Sequence, residues 1–384
     1  MLFLALALLP MTGLARGEKG ETGENPVIQS AVTEISKYGN MILSIPGSDL
    51  LAQGYDFGDM LKVTIAGKVY RIPIGDNYAD VDSGSMICLV TIREETGEDW
   101  VSLAVNMGSM ANAVGAAVKE TREDDIGYAW IFRAGFSLPI PVTLELEEKG
   151  GYYDQWVMHH LMRSENREDY PELTDAEFAN FRMIRMGGIA PERLYRSSSP
   201  VDPDISRNRY ADRAAEEAGI RTIINLTDSE EAMRGFEGYS GSYYSGQHII
   251  ALNLGMEYES KEFRTGLARG LRFMLDHEGP YLLHCGQGRN RTGFVAAVLE
   301  CLMGASEGEI VDDYMQTFRN YYGVMPGSEE YEVIAGNNIR RMLCNVFGVE
   351  AIDGADLRFC AENYLVSAGL SPEEIGRLRD ILSQ

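Results

Sequence analysis

Cysteine is scarce in this chain. Five occur in 384 residues, at positions 88, 285, 301, 344 and 360, with no CxxC pair and no Cys/His cluster. That spacing indicates no disulfide framework and no metal site, and it calls for no cofactor. Positive charge is also short, with 34 Lys and Arg against 58 Asp and Glu and a net charge of −24. Such a chain has no global basic field to neutralise a nucleic-acid backbone, so nucleic acid is set aside as the main partner. A very anionic substrate would need a locally basic pocket. Internal repeats are absent, and no stretch is long and apolar enough to form a membrane span. The apolar N-terminus, MLFLALALLPMTGLA, is too short for one. It reads as the h-region of a secretory signal with Gly13-Leu14-Ala15 as a small-residue cleavage site, although a positive n-region is missing. The expectation is a signal peptide over 1–15 and an extracytoplasmic or secreted protein; the alternative is a buried N-terminal helix.

What is there is ordinary globular material, 45% hydrophobic and 24% charged, in a length that suggests two domains or more. Residues 16–26, RGEKGETGENP, are polar and Gly-rich and read as a linker. From 27 to about 145 the pattern is β. Met41 to Ile45, Met60 to Ile65, Lys68 to Ile74 and Met86 to Ile92 are short runs with β-branched residues. Turns at Pro46-Gly47, Ala66-Gly67 and Ser83-Gly84 separate them. Trp100 to Asn106 and Val142 to Leu146 add strands, and the Ala-rich stretch Asn112 to Lys119 suggests a short helix. The pattern predicts a small all-β, barrel-like domain over 27–150.

An α/β pattern follows over 151–384: a central, mostly parallel sheet flanked by helices, with a helical C-terminal part. Tyr152 to Ser164 is amphipathic and carries His159-His160, which lack a metal partner at ligand spacing. Residues 193–200, RLYRSSSP, hold a short strand, with Arg196 facing either a site or an internal carboxylate. Residues 203–218 have helical spacing, Gly219 caps them, and Arg221 to Leu226 is a buried parallel strand. Thr227, Asp228, Glu230 and Glu231 lie in the loop after it, where open α/β sheets bind ligands. His248 to Leu252 is a strand, followed by a loop with Glu257 and Glu259. Glu262 to His277 is a helix leading to the apolar run Tyr281 to Leu283. Ser306 to Tyr322, Glu329 to Val346, Asp356 to Ser367 and Pro372 to Leu382 read as covering helices.

The chemistry sits at 280–293, PYLLHCGQGRNRTG. A strand runs into a tight Gly-containing loop and then a helix. Such a loop aims consecutive N–H groups at one spot, and the helix dipole makes that spot favour an anion. Cys285, at the loop's first position, sits in the same field, which favours its thiolate. Gly286, Gln287, Gly288, Arg289 and Asn290 form the phosphate-binding turn. Arg291 can grip two phosphate oxygens with its planar fork. Cys301, in the following helix, reads as core.

His284-Cys285, five intervening residues and Arg291-Thr292 resemble the signature loop of the cysteine-dependent protein tyrosine and dual-specificity phosphatases. The Arg-Thr-Gly ending is most similar to the bacterial and atypical branch. The resemblance implies a phosphatase whose Cys285 attacks phosphorus and forms a phosphocysteine, splitting one displacement into two. The loop amides and Arg291 stabilise the equatorial oxygens. Thr292 hydrogen-bonds the thiolate, and His284 shapes the loop. Many relatives carry an Asp just before the signature Arg as the acid; here it is Asn290, which cannot supply that proton. Glu257 and Asp228 are the two candidates, with Glu257 favoured. Arg289 stands where relatives often have Lys and adds positive potential at the mouth.

The implied partner is a phosphorylated protein or a phosphoinositol-type substrate, and the oligomeric state is not indicated. One alternative is a phytase-like inositol polyphosphatase, which would draw Arg182, Arg185, Arg196 and Arg289 around the cradle. Another is a non-catalytic phosphate-binding module. In the β region, Tyr38-Gly39-Asn40, Tyr78-Ala79-Asp80-Val81 and Leu103 to Ser109 resemble the C-terminal β domain of the SAM hydroxide adenosyltransferases. In that family the domain helps hold an adenosyl ligand beside a separate catalytic domain. No such catalytic partner is visible here, so the resemblance carries fold only. A third alternative gives the β domain the main role, as a ligand or surface-binding module.

Overall fold

The structure, a computed structural model, describes residues 27–65, 67–121 and 128–384. The expected signal peptide and linker, and the first residue of the Ala66-Gly67 turn, lie outside the described residues. The chain divides into two compact units, Met1–His159 and His160–Gln384.

The first unit opens with β1 (Ile28–Ile35), β2 (Met41–Leu43) and a short helix α1 (Gly47–Ala52). Next come β3 (Met60–Ile65), β4 (Lys68–Gly75), β5 (Met86–Arg93) and β6 (Glu98–Val105). Then follow α2 (Met110–Ala113), β7 (Ala117–Thr121), β8 (Tyr128–Phe132), β9 (Ile140–Glu148) and α3 (Tyr153–His159). Seven strands close a barrel in the order β1-β2-β6-β5-β4-β3-β9. The closing strand β9 is antiparallel to both β1 and β3, and closure leaves no free edge. Period-two patterning drives it: β3 buries Leu61, Val63 and Ile65 and turns Lys62 and Thr64 away, as strand geometry requires. β7 and β8 pair separately. The helix expected over Asn112 to Lys119 stops at Ala113, because Gly115 turns the chain at a φ of +79° and Ala117 onward pairs with β8. The helix expected from Tyr152 to Ser164 likewise ends at His159.

The second unit begins with α4 (Asp175–Phe178), β10 (Arg182–Ile184), β11 (Leu194–Ser197), α5 (Asn208–Glu217) and β12 (Thr222–Asn225). It continues through α6 (Glu230–Gly235), β13 (His248–Ala251), α7 (Lys261–Asp276), β14 (Tyr281–His284) and α8 (Asn290–Leu302). The helical remainder is α9 (Glu307–Tyr322), α10 (Glu329–Ala335), α11 (Arg341–Phe347), α12 (Leu357–Ser367) and α13 (Pro372–Leu382). The sheet order is β10-β11-β14-β12-β13. β11, β14, β12 and β13 are mutually parallel, and β10 joins the edge antiparallel. Buried parallel strands read as unbroken apolar runs, and β12 and β14 are buried at every position. α8 is buried along almost its whole length, from Thr292 to Leu302. α5 starts at Asn208, five residues later than the helical spacing indicates. The expected helix Glu329 to Val346 is continuous but contains a π-helical turn over Gly336–Arg340.

Leu144 stands opposite Ile28 on one neighbour and Val63 on the other, and is fully buried. Leu144→Ala is expected to cost about 2–5 kcal/mol through the cavity it leaves, read as a lower urea midpoint.

Candidate active site

β14 lies between β11 and β12, so its C-terminal end opens at the middle of the sheet. There the chain turns through 285–289 into α8. The turn is held from outside by its carbonyls. The Ser199 N–H donates to the Gly286 oxygen at 2.7 Å. Asn180 Nδ2 donates to the Gln287 oxygen at 3.0 Å. Arg196 donates to the Gly288 oxygen at 2.7 Å. In a trans peptide the carbonyl and the next N–H point in opposite directions. Turning these three carbonyls outward therefore turns the N–H groups of Gln287, Gly288 and Arg289 inward, toward one point above Cys285. Gly288 takes a φ of +67°, and a Cβ there would lie 2.2 Å from the Ser197 carbonyl oxygen. No other residue fits.

The anchor behind the turn is ionic. Arg196 is fully buried and pairs with Asp313. Arg182 donates to the same carboxylate at 2.8 Å. Burial pushes the Asp313 carboxyl up, but the two guanidiniums outweigh it and hold it below the ordinary range. Glu300, also buried, is driven well above the ordinary carboxylate range by burial and by the Asp313 charge. It lies beside the Asp313 carboxylate in a dry interior. Burial brings Arg182 down to about 10, so it remains a cation at neutral pH. The alternative open for Arg196 thus resolves to the internal carboxylate.

Five side chains ring the turn. Cys285 is buried, 4% exposed, at its base. Arg291 is already oriented by two loops: its Nε donates to the Gly255 oxygen at 3.1 Å and a terminal nitrogen to Thr227 Oγ1 at 2.7 Å. The Thr292 hydroxyl is buried without a hydrogen-bond partner among the described residues. Such a group costs about 1–3 kcal/mol, and a thiolate is a partner that would relieve it. Arg289 donates to the Tyr322 hydroxyl at 2.6 Å and to Asn290 Oδ1 at 3.2 Å. His284 is buried, and burial pulls its imidazole down to about 4, so it is neutral. Its Nδ1 faces the Cys285 oxygen at 3.4 Å and its Nε2 the Tyr244 hydroxyl at 2.9 Å.

The two candidate acids differ sharply. Asp228 follows β12 and is half-buried. Burial raises its pKa, the Asp202 charge adds to that, and Asn225 and Arg291 oppose it. Glu257 is exposed, and its carboxylate accepts the Met256 N–H at 3.2 Å. It lines a cleft of about 570 Å³ with Tyr258, Glu259, Asn290, Asn337 and Arg341. Of the cations set out for a polyphosphate site, Arg182 and Arg196 are turned inward onto Asp313. Arg185 is exposed and its Nε lies 3.0 Å from Met183 Sδ.

Sequence reasoning missed Asn180, Ser199, Asp313, Gly255, Asn225 and Tyr244, while Thr227 falls in the loop it placed near the site. Most lie dozens of residues or more from the loop they serve, and no local spacing marks them. Only Asn180 leaves a trace, as a non-glycine residue with a φ of +53°.

Residues 177–384 match the tyrosine phosphatase family. Residues 31–123 match the SAM hydroxide adenosyltransferase C-terminal domain. Among solved structures, an uncharacterized conserved protein from Thermotoga maritima is 20% identical at a TM-score of 0.23, over 32% of this chain and 37% of that one. The match thus spans little more than a third of the Thermotoga protein. The core catalytic domain of the PP-IP phosphatase SIW14 from S. cerevisiae, in complex with citrate, is 17% identical at a TM-score of 0.26, over 44% of this chain and 91% of that one. P. aeruginosa TpbA in complex with pTyr is 16% identical at a TM-score of 0.26, over 43% and 94%.

The left-handed φ at 288 alone costs an L-residue about 1–2 kcal/mol, and contact with the Ser197 carbonyl adds to it. Gly288→Ala is expected to lower the thermal midpoint and to weaken vanadate binding, measured by titration calorimetry.

Proposed function

We infer the function from one premise, that this chain belongs to the tyrosine phosphatase family. It hydrolyses phosphate monoesters through a phosphocysteine. The Cys285 sulfur bonds to phosphorus as the ester P–O bond breaks, and the leaving oxygen takes a proton from an acid. Water then attacks the S–P bond, returns a proton to that acid and releases phosphate and the thiolate. The observation that carries this reading is the turn itself. Its three carbonyls are held outward, so the amides converge on the space between Cys285 and Arg291. There they meet the equatorial oxygens as charge spreads.

Asp228 is the better acid. It is half-buried, burial raises its pKa, and it adjoins Thr227, which holds Arg291. Glu257 is solvated at the cleft. The substrate is a phosphotyrosine-type monoester rather than an inositol polyphosphate. Two of the arginines a polyphosphate would need are spent on Asp313. The adjoining cleft sets Glu257 and Glu259 against Arg341, and carboxylates there repel additional phosphates.

Cys285→Ser is expected to abolish turnover of p-nitrophenyl phosphate while phosphate binding and the fold persist. Equal turnover in the variant would sink the reading, and tight phosphopeptide binding with no turnover by the wild type would favour a binding module. Asp228→Asn is expected to lower kcat by about 10²–10⁴-fold. The sign of its pH effect follows from the neighbours. With Asp202 raising and Arg291 lowering its pKa around a dominant burial effect, Asp228 loses its proton as pH rises. Wild-type kcat therefore declines on the alkaline side, and the variant loses that decline.

A further inference from the structure

Asn225 is the last residue of β12, fully buried, and stands in register with His284, the last residue of β14. Its orientation is settled by its partners. Oδ1 accepts the N–H groups of Thr227 and Asp228 at 3.0 and 3.1 Å, so the other end is the NH₂ group. The two hydrogens of that group go to different places. One is donated to Asp228 Oδ2 at 3.0 Å and the other to the Tyr244 hydroxyl at 3.1 Å. The Tyr244 hydroxyl lies 2.9 Å from His284 Nε2 and 3.4 Å from Met233 Sδ, and its one hydrogen is taken to go to the nearer and stronger acceptor, the nitrogen. That direction fits a neutral imidazole with its proton on Nδ1, which faces the Cys285 carbonyl at 3.4 Å. Donors and acceptors thus alternate without conflict from Asp228 to the peptide of Cys285.

One consequence bears on the chemistry. Asp228 Oδ2 receives a hydrogen from Asn225, so a proton on that carboxyl belongs on Oδ1. We propose that Asn225 is the positioning residue of this site. It holds Asp228 by one oxygen so that the other delivers the leaving-group proton, and through Tyr244 and His284 it fixes that carboxyl relative to the Cys285 loop. In the first step the Oδ1 proton passes to the ester oxygen as the P–O bond breaks and the S–P bond forms. The inference rests on the reading of Asp228 as the acid.

The test uses leaving groups. Phenolate leaves poorly without a proton, whereas p-nitrophenolate leaves well. The full-length protein and its variants are assayed on phenyl phosphate and p-nitrophenyl phosphate, and the ratio of the two kcat values is read. Asn225→Ala is expected to lower that ratio about tenfold or more. Tyr244→Phe, which keeps the bond between Asn225 and Asp228, is expected to lower it less. Asn225→Ala combined with Asp228→Asn is expected to fall no further than Asp228→Asn alone, because the two act as one unit. An equal loss on both substrates in Asn225→Ala would mean a merely structural role and would overturn the proposal. If that variant does not fold, Tyr244→Phe decides, and an unchanged ratio there overturns it. An unchanged ratio in Asp228→Asn would remove Asp228 as the acid, and this proposal with it, while leaving the Cys285 chemistry intact.

Discussion

Arg196 is buried beneath the signature turn, where it donates to the Gly288 carbonyl and pairs with Asp313. A guanidinium in that position is costly unless it is paired and hydrogen-bonded. Here a carboxylate takes one of its donors and the loop's own backbone takes another. The charge therefore does two things at once. It is neutralised, and it fixes the direction of a peptide whose N–H must face the opposite way. Asn180 and Ser199 repeat the device at the two preceding peptides. The anion site is thus built from the back. Nothing in the turn's own sequence would hold its amides inward against their mutual repulsion.

The same cluster governs its own protonation. Two guanidiniums face two carboxyls, yet the Asp313 pKa is held down and the Glu300 pKa is driven up. Geometry separates them. Asp313 receives hydrogen bonds from Arg182 and Arg196, whereas Glu300 meets a neighbouring negative charge in a dry interior. The cluster sets two guanidiniums behind the turn. A chain of net charge −24 thereby keeps a local field that favours anions at one point.

The signature turn was legible because its residues are local: a cysteine, glycines and a cation within one strand–loop–helix unit. The parallel strands were legible too, since Arg221 to Leu226 and Tyr281 to Leu283 centre on short apolar cores bounded by turn signals. The barrel was visible as alternation, but β1 and the β7–β8 pair were not picked out, and the Ala-rich stretch after 110 looked more helical than it is. Tertiary pairing with β8 overrode local propensity there. What could not be read was the supporting shell. Asn180 and Asp313 lie 105 and 28 residues from Cys285 in the numbering, and polar residues of their kind recur throughout an acidic chain. The choice between acids also needed burial, which spacing does not report.

Arg291 enters the resting site already engaged, with Thr227 and the Gly255 carbonyl as its partners. On the proposed mechanism, an arriving phosphoryl group exchanges bonds rather than capturing an idle cation. The side chain's rotamer entropy was surrendered when the protein folded, so little ordering is left to oppose association. The reverse step gains by the same arrangement: departing phosphate returns the guanidinium to two waiting acceptors and leaves no desolvated charge behind. Engagement and release are thereby brought close in free energy, the condition under which a site that grips an anion still empties between cycles.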